Sequence, residues 1–467
     1  MKKILTLALL LSISLSASAQ KLRVASIISD NMVLQRNSTV NVWGYNNAYS
    51  NVSIVGSWNL KDTVTVRTNS LGKWCAQLKT TDAGTGYKIE IFGNGQIQIN
   101  NVALGEVWLC SGQSNMEWSY NHGGLARQNE EISSATNRNI RIITVPKTGS
   151  ITPQDDIAAT WEVCSSDVMR RTSAISYFFA KKLQEELKVP IGIIVSAWGG
   201  TTAEVWTPKD ELTGEFQYIA DAFTKRNAEA KWWPESIGTL YNAMIYPIKN
   251  YTIEGVIWYQ GESNVDTFQT YTALQEKMIN VWRREFVNDF PFYFVQIAPF
   301  NYGPKQNAAG LREAQQEVTK RVKRTEMVLS HDLLKGVTSN IHPANKYDVG
   351  YRLANCALGE NYKVPNIIYR SPSFKSMTVK DGKAYISFND INGELKIDGT
   401  KLNEIFIASS DNNFISAQAK IEGDQLVVWD KSIKYPSAVR FAYSNSGIGN
   451  LMSSNGLPVA PFRTDSF

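Results

Sequence analysis

Histidine and cysteine are scarce in this 467-residue sequence, with three of the first and four of the second. His122, His331 and His342 are dispersed, and Cys75, Cys110, Cys164 and Cys356 match no metal or redox spacing. Without a His/Cys cluster the usual zinc sites are excluded, so no metal or cofactor is expected. Neither sign of charge dominates: 48 Lys and Arg stand against 43 Asp and Glu. The formal charge of +5 falls to +3 if Lys2 and Lys3 leave with a leader, too little to imply nucleic acid or a membrane surface. Beyond the amino end, no apolar run approaches the roughly 18 residues that span a bilayer. The pentapeptide Gly-x-Ser-x-Gly is missing too, which excludes the nucleophile elbow of α/β-hydrolases. Internal repeats and low-complexity tracts are absent.

The amino end has the form of an export signal. Met1-Lys2-Lys3 precedes an apolar stretch, Ile4 to Leu15, and Ala17-Ser18-Ala19 closes it. This pattern predicts a signal peptide over 1–19, cleaved before Gln20, and an exported protein, periplasmic or extracellular. No cysteine follows the cleavage point, so lipid attachment is not expected. Export permits disulfides, but Cys110 and Cys356 lie in apolar contexts and read as packed thiols. The remaining 448 residues suffice for two or three domains. Nothing in the sequence speaks to oligomeric state.

Three kinds of patterning follow one another. Residues 20–100 alternate as in Val40-Asn41-Val42-Trp43 and Tyr87-Lys88-Ile89-Glu90-Ile91, with turn signals at Asn69 to Gly72 and Gly93 to Gly95. That predicts a β-sandwich. Over 101–365, apolar strands alternate with amphipathic helices, one from Ser173 to Leu187 and another from about Tyr271 to Phe286. Strands such as Ile191 to Val195 and Phe292 to Ile297 carry no polar face, the mark of a parallel sheet covered on both sides. Residues 366–467 return to β patterning, as in Ala384 to Phe388 and Gln425 to Trp429.

Chemistry concentrates at Gly112-Gln113-Ser114-Asn115-Met116. The apolar run Val107 to Cys110 predicts a short buried strand, and Ser111-Gly112 breaks it. A serine at the carboxyl end of such a strand lies where open α/β sheets bind ligands. Its hydroxyl needs a base, usually histidine. His122 lies in a polar, glycine-containing loop, and His331 follows the apolar Met327-Val328-Leu329-Ser330, where a structural role is expected. His342 precedes Pro343, which biases it toward an extended backbone before a helix-like stretch, Lys346 to Leu358. It is the leading base.

Here the sequence resembles a family. Gly105 to Met116, Ala197-Trp198-Gly199-Gly200-Thr201, Gly255 to Asn264 and Ile341-His342-Pro343-Ala344-Asn345-Lys346 occur in the order found in secreted sialate O-acetylesterases of the SGNH (GDSL-like) hydrolase superfamily. Asn31 to Arg36 and Asn455 to Arg463 extend the similarity toward both ends. The resemblance implies an α/β fold: a flavodoxin-like SGNH core with a parallel sheet, between an amino-terminal β-sandwich and a carboxyl-terminal β region. It implies a serine esterase that removes O-acetyl groups from sialic acids or another glycan, with acetylxylan as a rival substrate. A carbohydrate-binding module with a dead hydrolase core is the reading from another class.

Residue by residue, the resemblance makes Ser114 the nucleophile and His342 the base. The oxyanion donors are then the Ser114 amide, an amide of Gly199 or Gly200, and the Gln260 side chain, with Asn264 as fallback. Asn115 and Glu262 are expected to contact substrate or support the site, and Arg312 to receive a substrate carboxylate. Trp118, Trp198, Trp206, Trp232, Trp233 and Trp258 lie in or near these blocks, where exposed rings suit sugars. One departure stands out. Ser339 occupies the position three before the histidine where many SGNH enzymes carry aspartate. That leaves a Ser-His dyad oriented by a carbonyl near Ser339, which is favoured, a distant acid such as Asp332 or Glu262, or help from Asn340.

Overall fold

A computed structural model describes residues 21–125, 129–225, 234, 236–303 and 306–465. The expected signal peptide over 1–19, Trp232 and Trp233 lie outside them. The amino-terminal strands form two layers. One sheet pairs Arg23–Val24, Thr39–Tyr45 and Lys73–Lys79; the other joins Val33–Gln35, Asn51–Gly56, Val64–Arg67 and Gly84–Gly93 to a long strand, β1 (Gly95–Gly112). Alternation drives this: in Lys73–Lys79 the residues Trp74, Ala76 and Leu78 are buried and their neighbours face outward.

β1 is the main departure from expectation. Residues 100 and 101, where a domain boundary is expected, fall inside it, and the short strand expected at Val107 to Cys110 is its last third. Its first half pairs antiparallel with Gly84–Gly93, and its second half enters the central sheet. Asn and Gly residues near its start look like turn formers, yet hydrogen bonds on both sides override that local preference.

The central sheet adds β2 (Asn137–Thr144), β3 (Ile191–Ala197), β4 (Gly255–Tyr259), β5 (Phe292–Val295) and β6 (Thr325–Val328), in the order β2-β3-β1-β4-β5-β6. All these neighbours are parallel, and Glu162–Cys164 adds an antiparallel strand beyond β2. Every residue of β3, β4 and β5 is buried, as unbroken apolar runs require. Helices cover both faces. The helix expected over 173–187 is Ala174–Leu187, capped by the Ser173 side chain and ended by left-handed Lys188. The second is Phe268–Glu285, and Ala308–Arg321 and Lys346–Cys356 complete the set. One face of the sheet shares a continuous apolar core with the amino-terminal strands, and the other has its own.

Antiparallel sheets from residue 373 onward enclose a third core around Ile386, Ile407, Leu426 and Phe441. This carboxyl-terminal region reaches the central unit through polar contacts. Asn445 accepts from the Ala308 amide, and its carbonyl accepts from the Phe300 amide. The four cysteines are free thiols; Cys110 and Cys356 are buried as expected, and burial pushes both thiols up. Among the described residues no helix is long and apolar enough to cross a membrane.

Candidate active site

The carboxyl ends of β1, β3 and β4 converge on one pocket. Gly112 ends β1 at φ 136°, and a Cβ there would lie 2.2 Å from the Tyr259 carbonyl oxygen on β4. Only glycine permits that approach. The chain then turns, the Gln113 amide donates to the Tyr259 carbonyl, and Ser114 opens the one-turn helix Ser114–Glu117. From β3, the Trp198 amide donates to the Gly112 carbonyl and brings Gly199 beneath the nucleophile. A Cβ on Gly199 would stand 3.1 Å from Ser114 Cβ.

His342 arrives from a loop 228 positions away. Its Nε2 lies 2.9 Å from Ser114 Oγ. With Nε2 as acceptor, the ring proton resides on Nδ1. The Asn340 side chain accepts from the His342 amide, and the imidazole stacks on Trp118 at 4.0 Å between centroids, 25° from parallel. Trp118 also stacks with His122, at 4.9 Å between centroids. Burial, then the Lys346 and His122 charges, push the His342 imidazole down to about 4, against the pull of Glu117. The base is therefore neutral and ready to accept at neutral pH.

No triad carboxylate is found among the described residues. Among the described residues none lies within hydrogen-bond distance of His342 Nδ1. Asp332 makes a two-pronged pair with Arg352, at 2.8 and 2.6 Å, and Glu262 bonds Asn115 at 2.6 Å. No carbonyl near Ser339 bonds the imidazole among the described residues, and the loop is held another way. Asn115 donates to the Ile341 carbonyl instead, at 3.0 Å.

The pocket has a volume of about 570 Å³ and its lining includes Gln113, Ser114, Glu117, Trp118, His122, Lys147, Gly199, Gly200, Asp266, Tyr302 and His342. Several expected site residues are elsewhere. Gln260 is fully buried, and its Nε2 donates to the Thr201 carbonyl and to Asn264 Oδ1, at 3.1 and 2.7 Å. Its Oε1 accepts from Tyr271, so no donor remains to point into the pocket. Asn264, the fallback, spends its own Nδ2 on Glu204 and Thr267. Arg312 is 1% exposed and donates to the carbonyls of Ala442 and Ser444, so it cannot meet a substrate carboxylate there. Trp206 and Trp258 are core residues, whereas Trp118 and Trp198 line the pocket.

The two glycines separate as well. Both line the pocket, but the Gly199 amide is spent on Glu117 Oε2 at 2.7 Å, while Gly200 sits at φ 77°. Glu117 also pairs with Lys147. Sequence reasoning missed Glu117, His122, Lys147 and Lys346 as parts of the site. Glu117 was the most accessible of these, three positions after Ser114 and so on the same side of any helix begun there. Lys147 joins the site only through the tertiary fold.

Residues 104–358 match the family model of carbohydrate esterases described as sialic acid-specific acetylesterase. The chain is 28% identical over 410 residues to a sialate O-acetylesterase of Mus musculus, covering 75% of each, and 27% identical over 390 residues to that of Homo sapiens, covering 75% of this chain and 73% of the human one. A solved carbohydrate acetylesterase from Xanthomonas citri superposes with a TM-score of 0.85 at 32% identity, covering 95% of this chain and all of that one. The matched span holds the strands and loops that deliver Ser114, Gly200 and His342 to one pocket, and the chain belongs to the sialic acid-specific acetylesterase family of carbohydrate esterases.

Proposed function

We propose that this esterase removes O-acetyl groups from sugars through a covalent acetyl-Ser114 intermediate. The observation that carries the reading is the 2.9 Å contact between Ser114 Oγ and His342 Nε2 at the pocket floor. Ser114 Oγ attacks the acetyl carbonyl carbon as His342 Nε2 takes its proton. The tetrahedral oxyanion is held by the Ser114 and Gly200 amides, since Gln260 and Gly199 are otherwise engaged. Collapse breaks the bond to the sugar oxygen, which leaves with the proton from His342. Water then attacks the acetyl carbon, giving its proton to His342, and a second collapse returns that proton to Ser114 and frees acetate.

The order β3-β1-β4-β5-β6 is that of flavodoxin-like sheets, 2-1-3-4-5 in chain order, and supports an SGNH-type core. The amino-terminal pattern of residues 1–19 supports export to the periplasm or beyond.

Acetylated sialic acid is the first substrate reading, from the family and its relatives. The burial of Arg312 favours a second, a neutral acetylated polysaccharide such as acetylxylan. Lys147 is the lysine that lines the pocket among the described residues, and it is already paired with Glu117. Acetate release from O-acetylated sialic acid and from acetylxylan, beside an aryl acetate, separates the two. Ser114→Ala is expected to lower every rate by at least about 10³-fold while folding normally. An aryl acetate left untouched by the wild-type enzyme would leave a binding module instead. Turnover that survives Ser114→Ala would move the nucleophile elsewhere.

A further inference from the structure

Beneath the dyad runs a buried chain of polar side chains. Asn115 is fully buried one position after the nucleophile, and both ends of its amide are engaged. Nδ2 donates to Glu262 Oε1 at 2.6 Å and to the Ile341 carbonyl at 3.0 Å; Oδ1 accepts from Lys346 Nζ at 2.5 Å. Ile341 immediately precedes the base. One Asn115 hydrogen therefore holds the backbone from which the imidazole projects.

The groups at either end are costly. Glu262 is 6% exposed and Lys346 is 1% exposed. Burial pushes the Glu262 carboxyl up and the Lys346 ammonium down to about 7, each opposed by the charge of the other, and the Asn115 amide bonds both. Glu262 Oε2 has no hydrogen-bond partner among the described residues, and Lys346 begins the helix Lys346–Cys356, the end whose dipole disfavours a cation. An apolar pair of similar volume would usually be no less stable. A fold that retains such a pair next to its reacting atoms has a use for it.

We propose that Glu262 and Lys346 are positioning residues: acting on opposite ends of the Asn115 amide, they hold the Ile341–His342 backbone so that the imidazole stays against Ser114. This rests on the dyad reading above, and it supplies what the missing carboxylate provides in a triad. A carboxylate accepting from Nδ2 and an ammonium donating to Oδ1 polarise the amide in the same sense. That strengthens the remaining Nδ2–H bond to Ile341. Lys346 also acts on the imidazole through space, as the largest push downward after burial. The other groups facing His342 are His122, which pushes the same way, and Glu117, which opposes; Lys147, Glu262 and Asp266 also line the pocket.

The test uses the full chain with Glu262→Gln, Lys346→Met and the two combined. Aryl acetate hydrolysis gives kcat, KM and the pH profile of kcat/KM. Either single change leaves a buried charge without its counterpart and risks the fold. The double variant is neutral at both positions and keeps their volume. Its kcat is expected to fall about 10–100-fold with KM within about twofold, the size found when a supporting shell is lost. Wherever Lys346→Met is present, the acid limb of kcat/KM is expected to move up. A folded double variant with wild-type kcat and an unmoved limb would overturn the proposal and leave the pair a packing feature. Ser114→Ala run alongside distinguishes the two readings: a dead Ser114→Ala beside a fully active double variant sinks this inference alone.

Discussion

Ser114 and Gln260 stand at the carboxyl ends of adjacent parallel strands, each in a glycine-containing polar block, and their fates are opposite. Gln260 is fully buried, and both the amide nitrogen and the oxygen of its side chain are engaged, while its carbonyl accepts from Tyr271 and Gln315. Ser114 has His342 as its side-chain partner and otherwise faces the pocket. Saturation builds a scaffold, and a group left under-partnered can react. The catalytic face of this sheet is thin, a few side chains resting on a layer whose polar atoms are mostly consumed.

The sharpest way to break that comparison is Gln260→Leu. It removes the donor to the Thr201 carbonyl, and one bond each from Asn264 Oδ1, which keeps the Ala203 amide, and from the Tyr271 hydroxyl, which keeps the Gln260 carbonyl. The carbonyl that loses its donor costs about 1–3 kcal/mol and each of the other lost bonds about 1 kcal/mol, so a total loss of roughly 3 kcal/mol is expected in urea unfolding. Folded molecules should keep kcat within a few-fold. The reverse result, full stability with kcat down about 10²–10³-fold, would make Gln260 an oxyanion donor after all.

That reversal also marks how far the sequence could be read. The proposed Ser114–His342 pair was legible because a glycine turn ends the strand before Ser114 and Pro343 restricts the backbone at His342. The alternation of apolar strands and amphipathic helices made the central sheet legible, down to the start of the helix after Ser173. What the sequence could not convey was which polar side chains saturate each other. Gln260, Asn264 and Arg312 look as able to meet a substrate as Ser114 does. Their burial depends on partners from distant segments, such as Thr201 for Gln260 and Ser444 for Arg312. The continuity of β1 was hidden for the same reason, since its pairing partners come from both sides of the expected boundary.

Two histidines carry the comparison into pH. Burial lowers His331 to about 4, close to His342, but His331 lies in the interior with neither ring nitrogen partnered among the described residues. His342 should be read in activity: kcat/KM is expected to stay on its plateau through pH 5.5 and fall only near 4, where the base gains its proton. An acid limb at 6–7 would contradict that. His331 should be read in stability. Its folded value lies below the ordinary 6.5, so the unfolded chain takes the proton first as pH falls. His331 therefore accounts for roughly 3 kcal/mol of stability lost between about 6.5 and 4, and the likewise lowered His342 adds to the same slope. Urea midpoints across pH 4–7 check this, and His331→Leu should flatten the slope.

The smallest effect belongs to Asp332→Asn, and it tests the dyad most directly. Asp332 precedes His342 by ten positions and, with Glu262, was one of the two distant acids considered for the third role. Its carboxylate instead grips Arg352, which also donates to the Leu329 carbonyl, an arrangement that pins the loop after β6 to the helix Lys346–Cys356. Asparagine keeps one acceptor for that guanidinium and loses the charge, so stability should drop by about 1–2 kcal/mol. If Asp332 oriented the imidazole, the same change would install the wrong tautomer and cost about 10⁴ in kcat. With orientation coming from Trp118 stacking, the Asn340 acceptor and the Asn115 bond to Ile341, kcat is expected to stay within threefold, measured on aryl acetate at neutral pH.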